Sequence, residues 1–285
     1  MGAPLLLADN LGNVNIYPKV IVTDQSGTSG PVGFEAWRAF SGRRSAFSYW
    51  QPGTPNIPAF LQLQHEQPRG ANALFLDRGH NLAGFPVTLQ GSNDGSTFVT
   101  LVSATIPTVL GGVLASANGV LTEEGAWAIS FPLPGGGAPA YAYWRFNIPA
   151  MGSGIQPNIV GLHPGIYYQP LALYRPYSEH STQFNAQEIV SPAGWRGRGQ
   201  RAFVGTATLN LRADVDDFEY LRARFTVEEL FGSGRPMWVV QDQERPTEAY
   251  QAIRPLGNQG FERQNQIYWP TAAIQVIEHE PQPLN

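Results

Sequence analysis

"NLAGFPVTLQGSNDGSTFVTLVS", residues 81–103, holds two apolar runs separated by a polar knot. Val87 and Leu89 alternate with polar neighbours, Ser92-Asn93-Asp94-Gly95-Ser96 interrupts, and Phe98 and Leu101 resume. Period-two alternation is the pattern of a strand with one face buried. Asp-Gly between two such runs predicts a hairpin turn, because glycine takes positive φ at little cost. A calcium loop is the other reading, but it needs several carboxylates at spaced positions. This stretch has one, Asp94.

The pattern extends along the first part of the chain. "FLQLQ" (60–64), "ALFLD" (73–77), "FPVTLQG" (85–91), "TFVTLVS" (97–103), "AWAISF" (126–131) and "YWRFNI" (143–148) alternate or form short apolar runs. Turn-forming clusters separate them at intervals that suit a β-sandwich. Residues 101–122 carry no charge and are long enough to span a bilayer. They also contain Pro107, Gly111, Gly112, Asn118 and Gly119, so a buried strand with a loop is expected rather than membrane insertion.

Composition narrows the function classes. Only 14% of the 285 residues are charged, while 31 are Gly and 24 are Pro, which favours turns and short strands over long helices. The net charge of -4 argues against a nucleic-acid partner. With no cysteine there is no disulfide, thiolate metal site or thiol nucleophile. "MGAPLLLADN" has no basic region ahead of its short apolar run, so no signal peptide is expected. Lys19 is the only lysine. A genome rich in G and C accounts for that bias, and arginine also suits bidentate interface contacts.

Charge is unevenly distributed. Residues 1–170 hold seven basic and eight acidic side chains; residues 171–285, a shorter span, hold eleven and fourteen. Two domains are therefore expected, 1–170 and 171–285. In the second, "RAFVGTATLNLR" (201–212) reads as a strand and "PMWVVQDQ" (236–243) as another. "IYWPTAAIQVIEHE" (267–280) reads as the last. Val215, Phe218, Leu221 and Phe225 recur at helical spacing, which predicts a helix over about 214–231. Asp214, Asp216 and Asp217 at its start suit capping and the helix dipole better than a catalytic cluster.

Several motifs resemble a known family in the right order. "LQGSNDGSTFVTL" is similar to the S-x-D-G-x-x-[WF] hairpin of discoidin-type (F5/8 type C, galactose-binding-like) domains. "EAWRAFSGRRSAFSYW" (35–50) resembles the turn and Tyr-Trp pair upstream of it, and "PAFLQLQ" and "YWRFNI" resemble two of the strands. Phe60 and Gln64 depart from the family's usual Trp and Asp. The resemblance implies an eight-stranded jelly-roll sandwich that binds glycans, lipids or proteins through loops at one end. "IVGLHPGIYYQP" (159–170), leading into a strand-helix-strand unit with "GSGRPMWVVQD", resembles minor tail proteins of tailed bacteriophages. The fold expected is mainly β: a galactose-binding-like jelly-roll sandwich, then a small tail-tube-like β-sandwich with one helix.

The candidate ligand residues are Arg43, Arg44, Tyr49, Arg78 and His80, arginines and a histidine beside an aromatic face. Tyr49, Trp50, Trp37 and Phe40 equally suit a sandwich core. No G-x-S-x-G, H-E-x-x-H or phosphate-binding loop occurs, and the five histidines are scattered, so no catalyst, metal or cofactor is expected. His279, between Glu278 and Glu280, could serve a metal or proton switch but better suits the end of a strand. The function expected is a structural virion protein of a phage tail tip or baseplate, assembled in the host cytoplasm. Its expected partners are itself, as a ring or trimer, other tail proteins and a host cell-surface glycan. A free lectin-like module is the alternative.

Overall fold

The computed structural model describes residues 5–7, 10–12, 17–25, 32–41, 49–53, 58–123, 125–131, 138–152, 154–168, 172–173, 178–190, 196–212, 236–240, 244–253 and 271–278. The protein is mainly β and divides into two compact units. The first comprises Met1–Gln169 with Trp238–Ala249, and the second Pro170–Met237 with Tyr250–Asn285.

The first unit opens with β1 (Leu5–Leu7), β2 (Ile21–Asp24), β3 (Ala59–Gly70), β4 (Ala73–Leu76), β5 (Pro86–Ser92) and β6 (Val99–Thr105). It continues with β7 (Gly111–Gly112), β8 (Val120–Leu121), β9 (Trp127–Ser130), β10 (Ala140–Ile148), β11 (Leu162–Gly165) and β12 (Tyr167–Tyr168). One antiparallel sheet has the order β2-β3-β10-β5-β6, and a second has β11-β4-β9-β8-β7. Alternation aims Leu61, Leu63, Val87, Leu89, Trp144 and Phe146 inward from the first sheet. They meet Leu74, Leu76, Trp127 and Ile129 of the second in one buried cluster. Burying each of these large side chains contributes roughly 1.5–3 kcal/mol. This is the β-sandwich expected.

β4 does not alternate; all four of its residues are buried. Ala73 and Phe75 point away from the sandwich core into a second cluster with Leu7, Val120, Ala128 and Trp238. Phe75 stacks on Trp238 with ring centroids 5.0 Å apart. A sheet covered on both faces reads as a continuous apolar run, which is what "ALFL" is. The cover is β1, which pairs with β12 on one side. On the other it pairs with Trp238–Val240 of β16 (Pro236–Val240). Residues 236–243 were expected in the second domain; Trp238–Val240 instead belong with the first, because β1 and the Phe75 face need them.

The turn at Asn93-Asp94-Gly95 joins β5 to β6. Gly95 has φ +72°. Asp94 Oδ1 accepts from the Ser96 and Thr97 amides at 2.8 and 2.7 Å and from Ser92 Oγ at 2.8 Å. These bonds, Thr97 first, hold the Asp94 carboxyl below the usual carboxylate range. The one carboxylate of the stretch is thus engaged by the turn itself. The second run differs from expectation. A register shift between Leu89 and Gln90 changes the phase, so Val102 and Ala104 reach the core, while Phe98 lies on the outer face.

The stretch 101–122 forms the end of β6 and the short β7 and β8, with Val109, Leu110 and Val113 exposed between. Among the described residues no helix is long and apolar enough to cross a membrane.

The second unit contains β13 (Ala172–Leu173), β14 (Ser178–Val190), β15 (Arg196–Arg212), β17 (Tyr250–Ile253) and β18 (Thr271–Glu278). β15 pairs antiparallel with β13, β14 and β18, and β18 with β17. The strand expected at 201–212 is the latter part of β15. The helix expected over 214–231, its three aspartates and His279 lie outside the described residues.

Candidate functional site

Three loops of the first unit are tied together at one end of the sandwich. β4 ends at Leu76, and the Asp77 amide donates to the Gly161 carbonyl at 2.7 Å. Gly79, at φ +90°, turns the chain beside Val160. Asn81 then clamps the turn: its Nδ2 donates to the Gln156 carbonyl and its Oδ1 accepts from the Asn158 amide, both at 2.8 Å. Gln156 Nε2 donates to the Pro52 carbonyl at 3.0 Å, and Trp50 and Ile159 exchange backbone hydrogen bonds. Segments 49–53, 77–82 and 154–161 therefore form one built surface.

Arg78 and His80 stand on the second of these loops. The Leu82 amide donates to His80 Nδ1 at 3.1 Å, so the neutral ring carries its proton on Nε2. That Nε2 is buried and has no hydrogen-bond partner among the described residues. Burial lowers the His80 pKa to about 4, against an opposing pull from Asp77. His80 thus presents a neutral donor at neutral pH.

The aromatic residues separate. Trp50 and Phe40 are buried, and Trp50 Nε1 donates to Asp24 Oδ2 at 2.9 Å. Tyr49, half-buried, packs on Phe34 with centroids 4.9 Å apart. Trp37 is 45% exposed, with the Arg38 guanidinium 5.1 Å from its ring centroid. Glu35 fixes Arg38 through an ion pair, and that bond above all lowers the Glu35 pKa to about 2.

Of the residues expected at the site, Arg43 and Arg44 lie outside the described residues. Among the described residues no hydrogen bond or ring contact joins Tyr49 directly to Arg78 or His80; the shared loops bring them to one end. Sequence reasoning missed Phe34, Asn81 and Asn158. Asn81 follows the Asp77-Arg78-Gly79-His80 turn, whose only signal was Gly79. Among the described residues no group of three or more His, Asp or Glu side chains could hold a metal.

Beneath this end lies a buried polar set. Asn10 Nδ2 lies 2.9 Å from His163 Nδ1, and His163 Nε2 is 3.8 Å from Asp77 Oδ2. All three side chains are buried. A Cβ at Gly161 would come within 2.8 Å of Asp77 Oδ2, so glycine is required where the loop crosses this pair.

No protein-family model and no curated protein matches the chain. Solved structures with a similar trace include chitosan-binding module 1 of a Paenibacillus sp. IK-5 chitosanase/glucanase. It is 20% identical, covers 54% of this chain and 97% of that one, and has a TM-score of 0.37. The family 32 carbohydrate-binding module of Clostridium perfringens NanJ, in complex with galactose, is 13% identical. It covers 53% and 95% of the two chains at a TM-score of 0.37. A second Clostridium perfringens module, CpGH89CBM32-5 with GalNAc-β-1,3-galactose, is 14% identical, covers 51% and 94%, and scores 0.36. At these scores the likeness carries neither ligand nor site across, and the sandwich rests on its own strand pairing and core.

Proposed function

We propose that the first unit is a non-catalytic glycan-recognition module, and that the whole chain is a structural protein of a phage tail tip or baseplate. The observation that carries the recognition reading is the exposure of Trp37. An indole that is 45% exposed, stiffened by Arg38, offers a flat apolar face to a sugar ring. Tyr49 and Arg78 stand on the tied loops and supply the polar contacts that orient a sugar, while His80, with Nδ1 accepting from the Leu82 amide, holds the turn between them. The tail reading is supported by the resemblance of 159–170 and the segment that follows. A free lectin shares the same loop end and differs only in assembly.

The test is a glycan array with the full chain, its strongest ligand then titrated against Trp37→Ala and Arg78→Ala. Retention of a glycan by the parent, and a fall of roughly tenfold or more in each variant at unchanged melting temperature, is expected from losing a stacking or hydrogen-bond contact. If the array is blank, or both variants bind as the parent does, the loop end is not a glycan site.

A further inference from the structure

The outer face of the β2-β3-β10-β5-β6 sheet carries a cation that no described carboxylate pairs. Arg145 lies on β10, the middle strand, between two aromatic rings. Its Cζ is 4.6 Å from the Phe60 centroid and 3.8 Å from that of Phe98. Nε and Nη2 both donate to Gln62 Oε1, at 2.9 and 2.6 Å. That occupies one edge of the guanidinium. The end-on fork, Nη1 with the second hydrogen of Nη2, bonds to no described residue. No described carboxylate pairs with Arg145, whereas Lys19, Arg38 and Arg245 each pair with a glutamate. Partial burial also lowers the Arg145 pKa. The two rings and the Gln62 oxygen offset part of the lost water on the faces and one edge of the guanidinium, and the free end-on fork is left for an acceptor from another molecule.

The surroundings indicate the chemistry of that molecule. Asn147 Nδ2 donates to Thr88 Oγ1 and Gln90 Oε1, at 3.1 and 2.8 Å, which fixes the amide beside the fork. Gln62 Nε2 and Asn147 Oδ1 take no partner among the described residues. One donor and one acceptor therefore flank a planar fork that lies between two aromatic rings. The fork matches a carboxylate in bidentate geometry. The free amide groups match neutral hydroxyls, which a sugar presents in a row and a peptide does not.

We propose that this sheet face binds a carboxylate-bearing sugar, with the Arg145 fork on the carboxylate and the Gln62 and Asn147 amides on hydroxyls. The site is separate from the loop end and stands whether or not that end binds glycan.

The full chain should be titrated by calorimetry with trigalacturonate, neutral galactotriose and triglutamate in low salt. Trigalacturonate is expected to bind in preference to the other two. Arg145→Met should weaken it roughly 10- to 100-fold, as loss of charge-assisted hydrogen bonds implies. Arg145→Lys keeps the charge without the fork and should weaken it several-fold. Equal binding of the neutral sugar, or Arg145 variants that bind as the parent does, would overturn the proposal. Arg145-dependent binding of triglutamate at equal strength would assign the face to acidic peptides and overturn it as well. If Arg145→Met fails to fold, the Arg145 Nε–H resonance of the parent decides. It should move on adding trigalacturonate, and a fixed resonance sinks the proposal.

Discussion

His65 sits on the inward side of β3, 6% exposed, with its ring edge against Tyr17 at 5.3 Å between centroids. Burial, helped by Arg69, lowers its pKa from 6.5 to about 4. His80 is lowered to about 4 by burial as well. Between pH 6.5 and 4 the unfolded chain binds protons that the folded chain refuses. The stability each residue contributes is therefore complete above pH 6.5 and lost as pH falls towards 4. At about 1.4 kcal/mol per pKa unit, His65 contributes on the order of 1–3 kcal/mol to that slope. Melting temperatures recorded from pH 7 to pH 4 should fall, and His65→Phe, which keeps the ring, should flatten the fall. Parallel curves for parent and variant would contradict this. At this scale the sequence is least legible. Trp37 and Trp50 are the same residue in one aromatic stretch, yet one is exposed and the other buried. Partners distant in sequence, Asp24 and Ile159, set Trp50 apart.

At the scale of elements, the β5–β6 hairpin depends on one residue. Gly95 has positive φ, and a Cβ there would lie 3.1 Å from the Tyr143 ring. Gly95→Val should destabilise the protein by about 1 kcal/mol or more, read as a lower urea midpoint. Calcium should leave the melting temperature of the parent unchanged, since the Asp94 carboxylate is already taken by the turn. A rise of several degrees with calcium would show that the turn is a metal loop. This hairpin, β3 and β10 were legible because each buries one face and so alternates. β4 showed as a continuous run without revealing why, since its second cover comes from β1 and β16. β7, β8 and β12 have two residues each, too few for any period. β14, "SEHSTQFNAQEIV", has no apolar alternation, and β15 defines it by pairing.

For the whole molecule the expectation is assembly. Among the described strands, β14 pairs with β15 alone, leaving thirteen residues with one edge open. Long open edges are normally paired, covered or charged. We expect a second copy to cover this one in a ring or trimer within a tail particle. Mass measurement on purified protein should give a defined oligomer, and images of the particle should contain it. A strict monomer at high concentration, absent from any particle, would leave the free lectin ahead. Composition could not foresee how the chain is partitioned. A change in charge density marks one point along the sequence, but it is blind to a chain that leaves a unit and later returns.

That return constrains how the protein is made and how it can evolve. Trp238–Ala249 complete a unit whose other strands lie before Pro170, so the ribosome must synthesise the intervening part of the second unit before β1 meets β16. Until then Phe75 lacks the Trp238 ring that stacks on it. A gene exchange that replaced only residues 1–169 would join a new β1 to an old β16. Recombination that preserves the fold must carry both segments together, which makes this module hard to shuffle as a cassette.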